Sequence, residues 1–507
     1  MAYVHGVCLI GLRYAHCFNS STVLCSGLLF SPLNTMHILP NCQKPFPAFL
    51  KSWLLAGLIA LGGCSTLPEA DEVAAITQPV AVEFETARGP VSTGKKSAIL
   101  QALKNESGNI DILQKHLAVE QAINPDNPLV LGNKLNLLQD GPATYKAMFA
   151  AIRAAQDHIN LETYIFEDGE IGNKFANLLL EKQAAGVQVN LIYDSVGSLP
   201  TPKAFFERLS QAGIRVLEFN PVNPLRGKKK DWLLNNRDHR KLLIVDGRIA
   251  FLGGINISES YSSGSLSRSS RKKNGKSETG WRDTHLQIEG PVVADFQRLF
   301  LDTWAKQKGP ALTDKKYLPP LTKRGDEIVR AIGSAADAPY SQIYLTLLSA
   351  IDHAEHYIHL TNAYFVPDPK LLMALKNAAQ RGVDVQFILP SKSDSWMVFN
   401  AGRSHYAELL QAGVHIYERR DAVLHSKTAS IDGVWSTIGS TNLDWRSFLH
   451  NDELNAVILG HEFAQQMDAM FERDRAASTP IDYTTWNRRS PVLRIQEWFS
   501  RLPEYWL

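Results

Sequence analysis

From about residue 129 the chain alternates two apolar spacings. One has the three-to-four-residue interval of an amphipathic helix, and the other runs through short β-branched stretches typical of strands. Residues 150–168 (AAIRAAQDHINLETYIFED) read as a helix followed by a strand, and residues 349–368 (SAIDHAEHYIHLTNAYFVPD) read the same way. Residues 178–194 (LLLEKQAAGVQVNLIYD) and 375–391 (LKNAAQRGVDVQFILPS) each give a helix, a glycine stop and a strand. Residues 205–219 and 405–419 repeat the helix–glycine–strand order. Residues 239–256 (HRKLLIVDGRIAFLGGIN) and 425–442 (HSKTASIDGVWSTIGSTN) each form a hairpin about an Asp-Gly turn. Segments recurring in one order indicate internal duplication, and alternating helices and strands indicate a sheet covered on both faces. The pattern predicts two pseudo-symmetric α/β/α sandwich domains, 129–310 and 320–480.

The flanks follow different patterns. Residues 44–66 (KPFPAFLKSWLLAGLIALGGCST) place Lys44 and Lys51 beside a short apolar run and then small residues. This is the layout of an export signal, too short to cross a bilayer comfortably at the roughly 20 residues a helix needs. The ending Leu61-Gly62-Gly63-Cys64 resembles a bacterial lipoprotein signal, here residues 36–63. The resemblance implies lipidation of Cys64 and a stable anchor of several acyl chains. It also implies a periplasm-facing protein, with Ser65 favouring the outer membrane over the inner. Residues 1–35 are a doubtful extension, and Met36 is a natural start. Residues 64–128 are mixed and polar, and read as a tether with some helix. In residues 481–507 an apolar face of Val492, Leu493, Ile495, Trp498, Phe499 and Leu502 suits a membrane interface or packing on the body equally.

Composition narrows the partners. Of 507 residues, 45% are hydrophobic and 21% charged, and the formal net charge is +2. No global field draws in a polyanion, so an anionic partner must be held locally. Two basic stretches, residues 226–232 (RGKKKDW) and 268–276 (RSSRKKNGK), suit an anionic lipid surface, a nucleic acid or plain solvation. All five cysteines precede residue 65, so the body has neither a disulfide nor a thiolate nucleophile.

The two hairpins carry the candidate chemistry. Side chains at i and i+2 of a strand share a face, so His239 projects with Lys241 and His425 with Lys427. Asp246 and Asp432 follow at the turns, and fixing the turn suits them better than chemistry does. Asn256 and Asn442 stand at matching distances beyond, as hydrogen-bond donors at the hairpin mouth. Gly254 stands where the second copy has Ser440, so one hydroxyl is missing from the first half and a backbone N–H is the expected substitute. His353, His356, His359 and His405 lie outside the duplicated pattern and read as ordinary core or surface residues.

The paired HxKxxxxD motifs resemble those of the phospholipase D superfamily. Within it, RDHRKLLIVDG, FLGGIN and GWRDTHLQIEGP are similar to bacterial cardiolipin synthases, and the resemblance spans about residues 129–475. It implies that the two domains share one active site built from His239, Lys241, Asp246, His425, Lys427 and Asp432. One histidine would attack phosphorus and become a phosphohistidine, while the other protonates the leaving alkoxide. The lysines and asparagines would hold the phosphoryl oxygens. By resemblance His239 is the nucleophile and His425 the acid, an order the residues themselves do not rank. Glu453 fits the family position of the acid that orients a histidine in the second half, and Asp283 matches it in the first. The longer His239–Asp283 interval is accounted for by a polar, basic loop.

The resemblance implies no metal and no cofactor. It implies a membrane phospholipid such as phosphatidylglycerol as substrate, and an alcohol as acceptor. A hydrolytic phospholipase D is the nearest alternative. The export signal and the GWRDTHLQIEGP stretch argue against a nuclease, and two complete motifs argue against a non-enzymatic lipid binder. Oligomeric state stays open.

Overall fold

The computed structural model describes residues 67–68, 70–107, 111–222, 235–265, 271–273, 276–278 and 280–507. The extension, the signal, Cys64 and the first basic stretch lie outside the described residues. Of the second stretch, the backbone of Arg271–Lys273 pairs with Lys276–Glu278 as a hairpin.

The duplicated pattern folds as duplicated structure. Helix Asp140–Ala154 leads to strand His158–Thr163, as helix Gln342–Asp352 leads to Tyr357–Asn362. Helices Glu170–Ala184 and Pro369–Gln380 precede strands Gln188–Asp194 and Asp384–Pro390. Local chemistry sets the boundaries. Asp368 caps its helix by accepting from the Lys370 N–H at 2.8 Å, with proline at the first turn. Gly382, at φ 92°, ends the same helix in a conformation that side chains disfavour.

In each half, three parallel strands continue into an antiparallel hairpin. His158–Thr163 pairs with Gln188–Asp194 on one side and with Lys241–Val245 on the other. Tyr357–Asn362 sits in the same way between Asp384–Pro390 and Lys427–Ile431. Strand Leu129–Gln139 joins the halves: it pairs with Thr284–Glu289 and, further back, with Glu327–Ser334. Both halves contribute to one buried cluster. Leu242, Ile244, Leu252, Leu286 and Phe300 from the first meet Val329, Ile438, Ala456, Ile458 and Phe463 from the second. Residues from Ser65 on form a single compact body.

The expected tether is corrected by the structure. Strand Phe84–Thr86 pairs with the start of Leu129–Gln139. Phe84, Leu103, Leu113, Leu117 and Ile123 are buried in the core of the second half with Ile343 and Leu347. Polar contacts fasten the segment as well: Asn124 donates to the Thr346 hydroxyl at 3.0 Å, and Arg330 lies 3.1 Å from Glu120. These buried polar partners broke the apolar periodicity and made the segment read as a loose connection.

Candidate active site

Two short strand pairs cross between the halves and fix the site. Arg237–Asp238 runs parallel to the start of Asn451–Leu459, with Asp238 opposite Asp452. Trp281–Arg282 runs parallel to Val423–Leu424, with Arg282 opposite Leu424. One residue further on, the chain reaches His239 beside Glu453 and His425 beside Asp283. The backbone closes each junction: His239 N–H donates to Asp452 O at 2.9 Å, and His425 N–H to Arg282 O at 2.8 Å.

Each histidine is therefore oriented by an acid from the opposite half. His239 Nδ1 lies 3.0 Å from Glu453 Oε1, and His425 Nδ1 lies 2.7 Å from Asp283 Oδ2. Sequence spacing places one acid in each half, and the fold pairs each acid with the histidine of the other half. Burial opposes ionisation of Glu453, but attraction to His239 and the hydrogen bond with it hold the carboxyl below its ordinary value. Burial lowers His239 to about 4 against the pull of Glu453, and burial, then Lys427, lower His425. A carboxylate can only accept, so Nδ1 carries the proton and Nε2 keeps its lone pair. Neutral imidazoles with free Nε2 atoms are suited to nucleophilic attack and proton transfer.

Lys241 and Lys427 sit alike, each donating to the carbonyl of its motif histidine. Burial brings Lys241 down to about 7 and Lys427 to about 8. Two buried ammonium groups without a direct carboxylate bond favour an anion between them.

Asn256 lines the cavity. Its Oδ1 accepts from Ile165 N–H at 3.2 Å, and its Nδ2 donates to the Tyr261 hydroxyl at 3.3 Å. Asn442 lines it from the other side. Ser440 is turned away from any phosphate: its hydroxyl donates to Glu453 Oε2 at 2.5 Å and accepts from Leu454 N–H at 3.0 Å. The expected backbone substitute fails too, because Gly254 N–H is taken by Thr284 O at 3.1 Å. A Cβ at Gly254 would lie 2.3 Å from Asp283 Oδ1, so the glycine makes room for the acid.

The motif aspartates stand away from the cavity, which corrects their inclusion among the catalytic residues. Asp246 (φ 53°) accepts from Gln156, Asp157 and His158 N–H groups. Asp432 (φ 52°) accepts from Glu355, His356 and Tyr357 N–H groups. Both tie the hairpin turn to the neighbouring strand.

The histidines face one cavity of about 360 Å³. Its wall includes Tyr164, Trp281, Tyr364, Asp394, Arg446 and Asn451, which sequence reasoning missed. Tyr164 packs edge-on against His239 at 5.0 Å, and Trp281 lies 5.0 Å from His425. A signal was there to be read, since Tyr164 and Tyr364 follow the first repeated strand in both halves, each four residues before an aspartate. Of the histidines outside the pattern, His359 pairs with Asp468, and His405 lies between Glu408 and Glu504. Among the described residues no cluster suited to a metal ion occurs, and no helix is long and apolar enough to cross a membrane.

The comparisons agree with this geometry. A family model described as "Cardiolipin synthase, PLD-like domain" matches residues 148–268 and 347–475, which contain both hairpins. A cardiolipin synthase of Geobacillus thermodenitrificans is 37% identical over 381 residues, covering 74% of this chain and 73% of the relative. That of Alkalihalophilus pseudofirmus is 35% identical over 384 residues, with the same coverage of 74% and 73%. Among solved structures, a phosphatidylserine synthase of Haemophilus influenzae aligns over 76% of this chain and 100% of its own, with a TM-score of 0.56 at 13% identity. That likeness bears on the fold.

Proposed function

Since the chain belongs to the cardiolipin synthase family of phospholipase D-like proteins, we propose that it transfers a phosphatidyl group through a covalent intermediate on His239. It is a membrane-associated phosphatidyltransferase of the cardiolipin synthase type. The observation that carries the mechanism is the crossed pair of histidines, each held through Nδ1 by an acid, on one cavity. His239 Nε2 attacks phosphorus, and the bond to the leaving alkoxide breaks. His425 supplies the proton to that oxygen. The bound phosphodiester anion opposes the effects of burial and of Lys427, and so lets His425 carry that proton. An acceptor hydroxyl then gives its proton to His425 and attacks phosphorus, the P–N bond breaks, and His239 is regenerated. With phosphatidylglycerol as donor, glycerol leaves, and a second phospholipid bearing a free hydroxyl is the acceptor.

Lys241, Lys427, Asn256 and Asn442 are the groups suited to the phosphoryl oxygens. Glu453 and Asp283 act through the histidines as positioning residues, and Ser440 acts through Glu453. A lipid anchor on Cys64, with Ser65 directing the chain to the outer membrane, would supply the membrane attachment. Loss of labelled palmitate in Cys64→Ser tests the anchor.

The test of the reaction is incubation with phosphatidylglycerol vesicles, with and without glycerol or phosphatidylethanolamine, followed by mass spectrometry of the lipids. Transfer products are expected, and phosphatidic acid alone would sink the synthase reading. Acid quenching with labelled donor should trap a lipid–protein adduct that His239→Ala abolishes. An adduct surviving in His239→Ala but lost in His425→Ala reverses the two roles.

A further inference from the structure

Helix Pro491–Arg501 is oriented opposite to an ordinary surface helix. Its polar residues point inward, with Glu497 4% and Ser500 2% exposed. Val492, Leu493, Ile495, Trp498, Phe499 and the following Leu502 are 42% to 67% exposed. A surface helix normally buries its apolar stripe, and contiguous exposed apolar patches mark interaction sites. The rotation is fixed from below. Glu497 is bonded by Arg489, with Arg489 Nη2 at 3.0 Å, and lies 3.9 Å from Arg403 Nε. Arg489 in turn stacks on the Trp486 ring at 3.2 Å. Rolling the helix to hide its apolar face would break this set.

The patch is continuous with the cavity mouth. The helix packs against Trp396–Ser404, whose Trp396 and Met397 are also exposed, at 56% and 41%. Ser395 and Val398 of that same segment line the cavity, and so does the C-terminal Leu507. Arg488, Arg494 and Arg501 are exposed around the patch, and so is one acid, Asp394, two residues before Trp396. The acids nearby are engaged, Glu497 with Arg489, Glu504 with His405 and Asp394 with the Tyr364 hydroxyl.

We propose that the face formed by Val492, Ile495, Trp498, Phe499, Leu502 and Trp396 docks on the surface of an anionic phospholipid bilayer, which presents the cavity mouth to the headgroups. The inference rests on the reading of the chain as an enzyme of membrane phospholipids. Tryptophan, phenylalanine and aliphatic residues on one face with arginines at the margin match an interfacial helix seated at the headgroup–acyl boundary. Substrate would then reach His239 and His425 without leaving the bilayer, and the terminal helix would fix how the body sits above it.

The test uses the full chain on phosphatidylglycerol–phosphatidylethanolamine vesicles carrying a phospholipid with a photoactivatable acyl chain. Mass spectrometry should find lipid adducts on peptides containing Ile495, Trp498, Phe499 and Trp396. Adducts confined to residues before 67 overturn the proposal. So does a patch shielded by a second copy, seen as a lipid-free dimer that Ile495→Ser/Trp498→Ser/Phe499→Ser converts to monomer. That triple variant should lose about tenfold or more of its activity on vesicles. On monomeric short-chain phosphatidylglycerol it should keep activity within about twofold of the parent, because the altered side chains face away from the body. Equal loss on both substrates overturns docking in favour of a structural role. A parent chain inactive on both substrates overturns the transferase reading instead, while the photolabel still reports the docking.

Discussion

Glu453 and Asp283 differ by one methylene, and the residues beside them compensate. Glu453 is steadied by the Ser440 hydroxyl at 2.5 Å and by Asn451 Nδ2 at 3.2 Å. Asp283 fits only because Gly254 has no side chain. The same sequence position is thus a support in one half and a space in the other. Ser440→Gly removes one hydrogen bond to a carboxylate, worth about 1.5–3 kcal/mol, and should lower kcat about 10- to 100-fold. Gly254→Ser forces Asp283 off His425 and should cost about 10³- to 10⁴-fold, the scale seen when a histidine loses its orienting acid. Thermal melts would confirm that both variants fold, and a reversed ranking of their kcat values would refute this account. The pH profile follows from the same groups. On the proposed mechanism His239 attacks as the neutral imidazole, so the acid limb of kcat/KM should appear only as pH drops towards about 4. On the same mechanism His425 acts as the protonated acid, and burial and Lys427 lower it in the free protein. So kcat/KM should begin to decline below the ordinary histidine range and fall more steeply through about 7 to 8 as Lys241 and Lys427 lose their protons. A bound anion holds the lysines protonated, which should move the alkaline limb of kcat to higher pH. A kcat/KM still rising beyond pH 9 on a monomeric substrate would contradict this.

Strands and turns explain which parts of the site could be read from sequence. The hairpins were legible because strand periodicity puts histidine and lysine on one face, and because the motif occurs twice. The acids were legible as residues but not as partners. Sequence spacing runs within a half, whereas two-residue strand pairs between halves decide which histidine each acid meets. The Asp-Gly turns show the opposite situation, with a strong signal and a structural purpose. Asp432 satisfies three backbone N–H groups from a left-handed conformation. Asp432→Ala should therefore destabilise the protein by about 2–4 kcal/mol, read as a lower denaturant midpoint. Turnover per folded molecule should remain within a few-fold of the parent. A fully folded variant with activity lost a thousandfold would return the aspartate to the chemistry.

At the scale of the whole molecule, the duplication suggests two independent domains, but the packing makes them one. Strand Leu129–Gln139 of the first half pairs with Glu327–Ser334 of the second, and a single apolar cluster draws on both. The helices before residue 129 add a third element to the same body, buried against the second half. Nothing in the repeat pattern reveals this, because pattern reports which face is apolar and not what covers it. The connection between helix Val293–Lys306 and strand Glu327–Ser334 is fastened to the first half, with Tyr317 packed against His158 at 4.6 Å and Asp314 bonded by Arg215 at 3.0 Å, and its residues 322–324 are exposed in succession. A protease site inserted between exposed Thr322 and Lys323 tests the distinction. After cleavage the two pieces should co-elute in gel filtration and retain activity, since the crossed His–acid pairs need both halves but not the peptide bond. Intact protein should show one calorimetric transition, because no half can unfold without exposing the core of the other. Two separate transitions, or pieces that part on cleavage, would mean that the halves are stable alone. The shared cavity would then be a property of docking rather than of folding.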